Sequence, residues 1–222
     1  MSPPTGPAPE SFPALSAVPG LAHGFTLRVP ELDVKVDRAA ALERLDTYHA
    51  EARQALGLGK HCFVLGEQVH GGAVVVVDRK TPTPVPGVDG LITTDPGVCL
   101  GIYVADCCAV FLVDPDRRAI GLLHSGRKGT EEHIVEKAIT LMQKEFGSDP
   151  ARIIVQLSPC IRPPHFEIDF AALIRSDAAR AGAGTIADPQ SCTASDLERY
   201  YSYRAERGKT GRMLALLGWR GE

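Results

Sequence analysis

Two histidines and one cysteine are candidate metal ligands, because each belongs to a short polar motif between apolar segments. His70 lies in residues 68–71, Cys107 ends residues 105–107, and His124 begins residues 124–129. Imidazole and thiolate groups bind zinc well, and a catalytic zinc ion usually has three protein ligands with one position left for water or substrate. Two imidazoles and one thiolate therefore fit a catalytic zinc site better than a structural one.

These motifs lie at the ends of apolar strands or beside glycine loops, where mixed α/β folds usually gather reacting groups. The three residues are far apart in sequence, however, and isolated histidines and cysteines more often ligate nothing. Cys107 can face a site only if Asp106 and Cys108 face away, since neighbouring strand residues point to opposite faces. Asp106 then either orients a ligand imidazole through a hydrogen bond or accepts from a nearby loop N–H.

The composition is that of an ordinary soluble globular protein. The chain has 222 residues, of which 44% are hydrophobic and 23% charged, which suits one mixed α/β domain. A net charge of −3 gives no reason to expect nucleic acid or an anionic membrane as a partner, and no apolar run is long enough to span a bilayer. Six cysteines are too few for a disulfide scaffold, so we expect reduced thiols in a cytoplasmic protein.

The N-terminal segment, residues 1–20, is rich in proline and small residues and has neither the basic nor the apolar stretch of a secretory signal. Such a segment buries too little apolar surface to offset its ordering entropy. We therefore expect residues 1–20 to form a flexible leader and residues 21–222 to form a single domain.

Hydrophobic periodicity divides that domain into helices and strands. Helical spacing predicts helices at 38–56, 130–147 and 170–181, with a shorter one at 196–201. Apolar runs predict strands at 23–29, 62–65, 73–77, 90–93, 98–104, 109–113, 119–123, 152–157 and 212–217. Because most of these strands are apolar throughout, we expect them to be buried on both faces of a layered α/β structure.

The loop after His124 leads directly into a predicted helix, whose free N–H groups and dipole favour an anion. Its residues are Gly126, Arg127, Lys128 and Gly129. A phosphate bound beside the metal is one interpretation of this loop. The other is that the two basic side chains are solvated surface charges.

The chain resembles the YfiH-type laccase-domain family, also called the multicopper polyphenol oxidase family, from about residue 23 to residue 218. The resemblance rests on short blocks in one order, at 23–26, 68–71, 89–93, 105–107, 124–126 with Gly129, 158–161, 166–169, 192–193, 202–204 and 210–213. It implies mixed β-sheets flanked by helices in an α/β/β/α layered fold. It also implies a Zn²⁺ site made by His70, Cys107 and His124.

The resemblance further implies phosphorolysis of purine nucleosides such as adenosine, inosine, guanosine and 5′-methylthioadenosine, with adenosine deamination as a further activity. The partners would then be a small-molecule nucleoside and phosphate. The three ligands would be the catalytic residues, and we predict that Arg28, Arg127 and Lys128 bind substrate. The metal would act as a Lewis acid or template, or would activate water.

This sequence departs from the family pattern in three places. The family usually reads His-Ala-Gly-Trp-Arg-Gly where this chain has His-Ser-Gly-Arg-Lys-Gly at 124–129, so Lys128 keeps the charge of arginine without its bidentate fork. Ala109 stands where proline is common, and a glycine-rich loop expected after Arg28 is missing. The departures leave the three ligands intact and bear on the substrate pocket.

Other functions remain open at this point. Cys107 and His124 also suit the nucleophile and base of an amidase-like hydrolase, and a divergent binding protein without catalysis is a third class. Copper oxidase chemistry fits poorly, because a laccase needs many histidines in His-x-His pairs for its trinuclear copper cluster. This chain has 7 histidines and no such pair. Cys160 and Cys192 are expected to be buried structural thiols.

Overall fold

Two mixed β-sheets pack face to face, with helices against their outer faces. The computed structural model describes residues 6–221, and within that range the chain forms ten strands. In chain order the strands are β1 (Leu21–Phe25), β2 (Cys62–Leu65), β3 (Val74–Val76), β4 (Gly90–Thr93), β5 (Val98–Val104), β6 (Cys108–Asp114), β7 (Ala119–Ser125), β8 (Ile154–Leu157), β9 (Thr185–Ala187) and β10 (Met213–Trp219).

One sheet has four strands in the order β1-β10-β5-β2, and the other has six in the order β3-β4-β7-β6-β8-β9. Most neighbouring pairs are antiparallel, while β2 with β5, β3 with β4 and β8 with β9 are parallel. The predicted fold class of mixed sheets flanked by helices is therefore confirmed.

The apolar strands are buried on both faces because alternate residues enter two different cores. In β10, Ala215 and Leu217 enter the core between the sheets, whereas Leu214 and Leu216 enter the core on the outer face. Phe111 of β6 enters the inner core from the opposite sheet and is fully buried, which contributes roughly 2–3 kcal/mol. This double burial explains why the strands are apolar runs rather than alternating sequences.

Helices complete the outer layers. Within residues 6–221 the α-helices are α1 (Pro13–Ser16), α2 (Arg38–Ala55), α3 (Arg127–Glu131), α4 (Ile134–Phe146) and α5 (Phe170–Arg180). Ile139 of α4 and Ile174 of α5 share a core with Leu112 of the six-stranded sheet, and Ala52 of α2 joins the outer core of the four-stranded sheet. No helix in this part of the chain combines the length and apolar content that crossing a membrane requires.

The expected flexible leader needs correction over residues 6–20. Phe12 and Leu15 are buried in the main core, and Glu10 forms a β-bridge with Phe25. The backbone N–H of Phe12 donates to Nε2 of His23 at 2.9 Å. A few apolar side chains thus anchor a segment whose composition alone suggested none, while residues 1–5 lie outside the described range.

The helix predicted at 130–147 is two helices, α3 and α4. The break lies at His133, which has a φ of 56° and caps the start of α4. Its ring Nδ1 lies 3.1 Å from Oδ2 of Asp177 on α5. This contact holds the ring outside the helical path, and periodicity could not reveal it because the apolar spacing continues across the break.

The prediction of a short helix at 196–201 is wrong. Asp196 caps a single turn, in which its carboxylate accepts from the N–H of Arg199 at 3.1 Å. The helix does not continue after this turn. Tyr201 is fully buried instead, and its N–H donates to Sδ of Met213 at 3.1 Å. Burial of one aromatic ring outweighs the helical spacing here.

Candidate active site

The fold brings His70, Cys107 and His124 together. Their candidate ligand atoms all lie within 4.8 Å of one another, and the two imidazole rings meet edge to face at 82°. His124 is buried, Cys107 is partly buried and His70 is exposed. The cluster therefore has one open side, which is the arrangement that a catalytic metal site requires.

Each of the three residues comes from a different structural position. His124 lies in β7, opposite Ala109 of β6. Cys107 immediately precedes β6, after a turn in which Asp106 has a φ of 81°. His70 lies in the loop between β2 and β3, also in the left-handed region with a φ of 64°. The cluster thus combines one loop residue in the left-handed region, one residue that follows a left-handed turn, and one strand residue.

One buried carboxylate, that of Asp89, organises two of the three ligands. Its Oδ1 accepts from Nδ1 of His124 at 2.7 Å and from the backbone N–H of His70 at 2.9 Å. Its Oδ2 accepts from the N–H groups of Val69 and Gly71 at 3.1 and 2.8 Å. This network leaves Nε2 of His124 as the nitrogen free to ligate, which is the usual role of a carboxylate behind a metal-bound histidine.

The side chain of Gln68 holds the other end of the His70 loop. Its Nε2 donates to the carbonyl of Tyr103 at 2.7 Å, and its Oε1 accepts from the N–H of the same residue at 3.0 Å. The side-chain amide of Gln68 therefore makes the two hydrogen bonds to β5 that the backbone of a neighbouring strand residue would make. The motif at 68–71 thus fixes a ligand loop between the two sheets.

Two glycines give the cluster its close packing. A Cβ atom on Gly126 would lie 2.8 Å from Sγ of Cys107, and one on Gly129 would lie 2.9 Å from the carbonyl oxygen of Gly71. Both distances are too short for a real side chain. The spacing of glycines after His124 therefore serves to bring the three ligand segments together, and the donor set fits zinc in number and type.

A cavity of about 880 Å³ opens from the cluster. Its apolar side includes Ile161, Phe166 and Phe170, and the two phenylalanine rings meet edge to face with centroids 5.8 Å apart. This volume lies within the usual range for small-molecule sites. The position of the cluster at its wall marks the cavity as the candidate active site.

The sequence matches the family described as multi-copper polyphenol oxidoreductase laccase over residues 30–172 and 165–220. These matches cover most of the chain. The chain belongs to this laccase family. The resemblance inferred from the short sequence blocks is thereby confirmed.

Curated relatives carry a different functional name. A protein named purine nucleoside phosphorylase YlmD from Geobacillus stearothermophilus is 29% identical, with 95% of this chain and 93% of the relative covered. A purine nucleoside phosphorylase from Deinococcus radiodurans is 32% identical, with 93% of each chain covered.

Solved structures agree on the fold. The crystal structure of YlmD from G. stearothermophilus has a TM-score of 0.82 at 25% identity and covers 92% of this chain and 93% of its own. The hypothetical protein YfiH of Bacillus licheniformis has a TM-score of 0.80 at 23% identity, covering 90% and 92%. The layered arrangement of sheets is thus that of other laccase-family members.

Within this laccase-family site, Cys107 and His124 form a charged pair. Burial acts to raise the pKa of the Cys107 thiol, but the charge of His124 and hydrogen bonds from both histidines outweigh it and lower the pKa. Burial acts to lower the pKa of His124, but Cys107 and Asp89 outweigh it and raise the pKa. A thiolate is therefore available as a ligand near neutral pH.

Asp106 does not orient a ligand imidazole. Its Oδ1 accepts from the hydroxyl of Thr193 and its Oδ2 from the backbone N–H of Arg204, both at 2.7 Å. The second of the two interpretations, a carboxylate that accepts from loop N–H groups, describes its contacts. Asp89 takes the orienting position, and its sequence signal was its place in the block 89–93, directly before a short strand.

Arg28 lies away from the cavity lining. Its Nη2 pairs with Oε2 of Glu206 at 2.5 Å, and its guanidinium stacks 4.5 Å from the ring centroid of Tyr201. Glu206 also accepts from the hydroxyl of Thr210 at 2.5 Å. The contacts of Arg28 therefore hold the segment 201–210, which contributes Tyr203 to the cavity.

The two basic residues after His124 separate. Arg127 lines the cavity and pairs with Glu131 at 2.9 Å, whereas Lys128 is absent from the lining and lies 3.5 Å from Glu132. Helix α3 has only 5 residues, so its dipole is small. Of the expected substrate-binding residues, the fold places Arg127 alone on the cavity wall.

The sequence patterns missed other cavity residues. Arg38, Arg204 and Arg212 line the wall together with Tyr103 and Tyr203. Arg204 and Arg212 belong to blocks at 202–204 and 210–213 that resemble the family, but no periodicity marked them as site residues. Their positions in loop and strand-start segments gave no other signal.

Two further sets of candidate residues lie away from the cavity. Cys160 is fully buried in the core beneath α4 and α5, and Cys192 packs partly against it; neither lines the cavity. A second group able to hold a metal, His133, Glu136 and Asp177, already contains the guanidinium of Arg180, which pairs with both carboxylates. That group is an ion-pair network with its cation supplied by the chain.

Proposed function

We propose that this protein is a zinc-dependent purine nucleoside phosphorylase, acting on nucleosides such as adenosine, inosine, guanosine and 5′-methylthioadenosine. The observation that carries the proposal is the cluster of His70, Cys107 and His124 at the wall of a nucleoside-sized cavity. The names of the relatives support the same reaction.

Different residues of the site would position the metal ligands and hold the purine ring. Asp89 holds the ring of His124 and the backbone of His70, so that two of the three ligands are positioned by one carboxylate. Ile161, Phe166 and Phe170 offer an apolar and aromatic wall for a purine ring.

In the proposed reaction a phosphate oxygen bonds to the anomeric carbon as the glycosidic C–N bond breaks. The purine leaves with the bonding electrons and takes up the proton that the phosphate gives up, so the products are the free base and a sugar 1-phosphate. Zinc held by the three residues would supply Lewis-acid or template chemistry. Arg127 and Arg204, on the cavity wall, lie where they can contact substrate.

The proposal is tested by metal analysis of the purified protein together with assays of inosine, adenosine and methylthioadenosine, with and without phosphate. We expect bound zinc and phosphate-dependent release of free base, both lost in His70→Ala and Cys107→Ala. Conversion of adenosine to inosine without phosphate would reveal the deaminase activity. Stoichiometric copper, or inertness towards every nucleoside, would overturn the corresponding part of the proposal.

A thiol hydrolase is the second candidate, because Asp89, His124 and Cys107 form a connected acid–imidazole–thiol series. The additional contact of His70 with the thiol favours the metal site, since a hydrolase needs only one imidazole. Mass spectrometry after iodoacetamide treatment separates the two. Zinc-loaded protein should resist alkylation at Cys107, whereas a metal-free protein with rapid labelling and amidase activity would support the hydrolase.

A further inference from the structure

Two arginines on the cavity wall, Arg38 and Arg212, differ from the other two cavity arginines in having no carboxylate partner among the residues that the structure describes. Among residues 6–221, Arg38 has no carboxylate within 4.0 Å and no side-chain hydrogen bond, and Arg212 likewise lacks a carboxylate partner. Nη1 of Arg212 donates to the carbonyls of Thr210 and Gly211, both at 2.9 Å. Its Nε and Nη2 have no acceptor in the described part of the chain. Both guanidiniums line the cavity.

The other two cavity arginines are neutralised by acidic neighbours. Arg127 pairs with Glu131 at 2.9 Å, and Arg204 pairs with Glu167 at 3.2 Å. Arg204 also stacks 4.9 Å from the ring centroid of Phe166, on the aromatic side of the cavity. Within the described residues, Arg38 and Arg212 are therefore the two cavity arginines without a carboxylate in ion-pair contact.

The two guanidiniums line the same cavity. Burial lowers the pKa of Arg212 and the charge of Arg38 lowers it further, against the opposing effects of Cys107, Tyr203 and Asp106. Arg212 is fixed in place by its two carbonyl contacts and by the ring of Tyr203, whose centroid is 5.7 Å from Cζ. Like charges held together beside a cavity are stabilised when an anion binds between them.

We propose that Arg38 and Arg212 form the subsite for the phosphate co-substrate of this cavity. This inference rests on the proposed phosphorylase function and names the residues that would supply its second substrate site. A guanidinium presents paired N–H donors that match two oxygens of a phosphate, and two such groups balance the charge of a dianion. The aromatic side of the cavity, around Phe166 and Phe170, is then left for the base.

The test measures phosphate binding apart from turnover. Zinc-loaded wild-type protein, Arg38→Gln, Arg212→Gln and Arg212→Lys are titrated with inorganic phosphate by calorimetry without a nucleoside. We expect a phosphate Kd at least about tenfold weaker in both glutamine variants, with a smaller loss in Arg212→Lys, which keeps the charge but not the fork. Arg44→Gln is the matched control, because Arg44 lies on the same helix α2 and pairs with Asp33 away from the cavity.

Steady-state kinetics give the second measurement. KM for phosphate should rise at least about tenfold in Arg38→Gln and Arg212→Gln, while KM for inosine stays within about twofold. Zinc content and circular dichroism of each variant show whether the metal and the fold are retained. If KM for the nucleoside rises instead, or phosphate Kd is unchanged, the subsite assignment is overturned.

Two further results separate this inference from the proposed function. Suppose that the wild-type protein binds phosphate but releases no base from any nucleoside, and that the arginine variants do not bind phosphate. The anion subsite is then supported and the phosphorylase function is refuted. If wild-type protein binds a nucleoside 5′-monophosphate through these arginines but does not bind inorganic phosphate, the co-substrate assignment falls.

Discussion

Nδ1 of His124 lies 2.7 Å from Oδ1 of Asp89, and the same carboxylate oxygen accepts from the backbone N–H of His70. Asp89 thus couples the orientation of one proposed ligand to the backbone position of another. Because Asp89 is fully buried, loss of its negative charge cannot be made up by water.

Asp89→Asn should weaken zinc binding about 10- to 100-fold, since an amide places NH₂ hydrogens where one oxygen now accepts N–H groups. Competition with a chromophoric chelator measures the change. Asp33→Asn is the matched control, because Asp33 is exposed and its carboxylate accepts from Lys35 and Arg44 at the surface. Zinc affinity within twofold of wild type in Asp89→Asn would contradict the assigned role.

Gly126→Ala should disturb the cluster without unfolding the protein. The added methyl group would lie 2.8 Å from Sγ of Cys107, so the thiolate must shift and the ligand geometry is lost. We expect a zinc content well below one ion per chain, measured by atomic emission, with an unchanged circular dichroism spectrum. Gly221→Ala, where a Cβ meets nothing within 4 Å, should keep its zinc. Full zinc occupancy in Gly126→Ala would show that the loop has more room than this contact allows.

Zinc binding should release a proton near neutral pH. Despite burial, the Cys107 charge and Asp89 raise the pKa of His124 to about 9; despite burial, the His124 charge and the His70 contact lower the pKa of Cys107 to about 6. Between these values the metal-free pair is thiolate and imidazolium, and the imidazolium must lose its proton to ligate. Apparent zinc affinity should therefore rise up to about tenfold per pH unit in this window. Calorimetry in buffers of different ionisation enthalpy counts the proton, and a pH-independent affinity would refute the charge assignment.

Arg28→Gln should lower stability near neutral pH, because Glu206 would be left largely buried without its cation. Burial acts to raise the pKa of Glu206, but the hydrogen bonds from Arg28 and Thr210 outweigh it and hold the pKa below its usual range. A carboxylate with such a depressed pKa stabilises the fold above its unfolded-state pKa and loses that contribution as the pH falls through the folded-state value. We expect a loss of about 2 kcal/mol at neutral pH, shrinking below about pH 4.

Urea denaturation at several pH values measures that loss. Arg44→Gln serves again as the control, since its exposed pair with Asp33 is worth at most about 1 kcal/mol. Equal stability of Arg28→Gln and wild type at neutral pH would mean that the segment 201–210 is held by other contacts.

Hydrophobic patterns predicted most of the sheet strands, because double burial leaves a continuous apolar run that turns interrupt. They failed where a single contact decides the backbone, as at His133 between α3 and α4 and at the buried ring of Tyr201. They also extended the first strand to residue 29, whereas β1 ends at Phe25. The N–H of Arg28 instead donates to the carbonyl of Arg199 at 2.9 Å, a long-range contact that local periodicity does not contain.

The candidate site was predictable as a set of ligand types but not as a network. His70, Cys107 and His124 could be selected because each belongs to a short polar motif at the end of an apolar segment. Asp89, Arg38 and Arg212 could not, because acidic and basic residues are common and their roles depend on burial and on missing partners. Burial and pairing are properties of the folded chain, and they cannot be read from a single sequence.

The pairing of β4 with β7 has a consequence for how the site arises. Asp89 directly precedes β4, and its backbone carbonyl accepts from the N–H of His124 at 2.7 Å, so the register of these two strands and the ligand geometry are set by the same contacts. Pairing between strands far apart in the sequence is slow, because loop-closure entropy must be overcome before the contacts form. The ability to bind zinc should therefore appear when β4 pairs with β7 in the six-stranded sheet. A partly folded chain without this pairing would not hold the three ligands together.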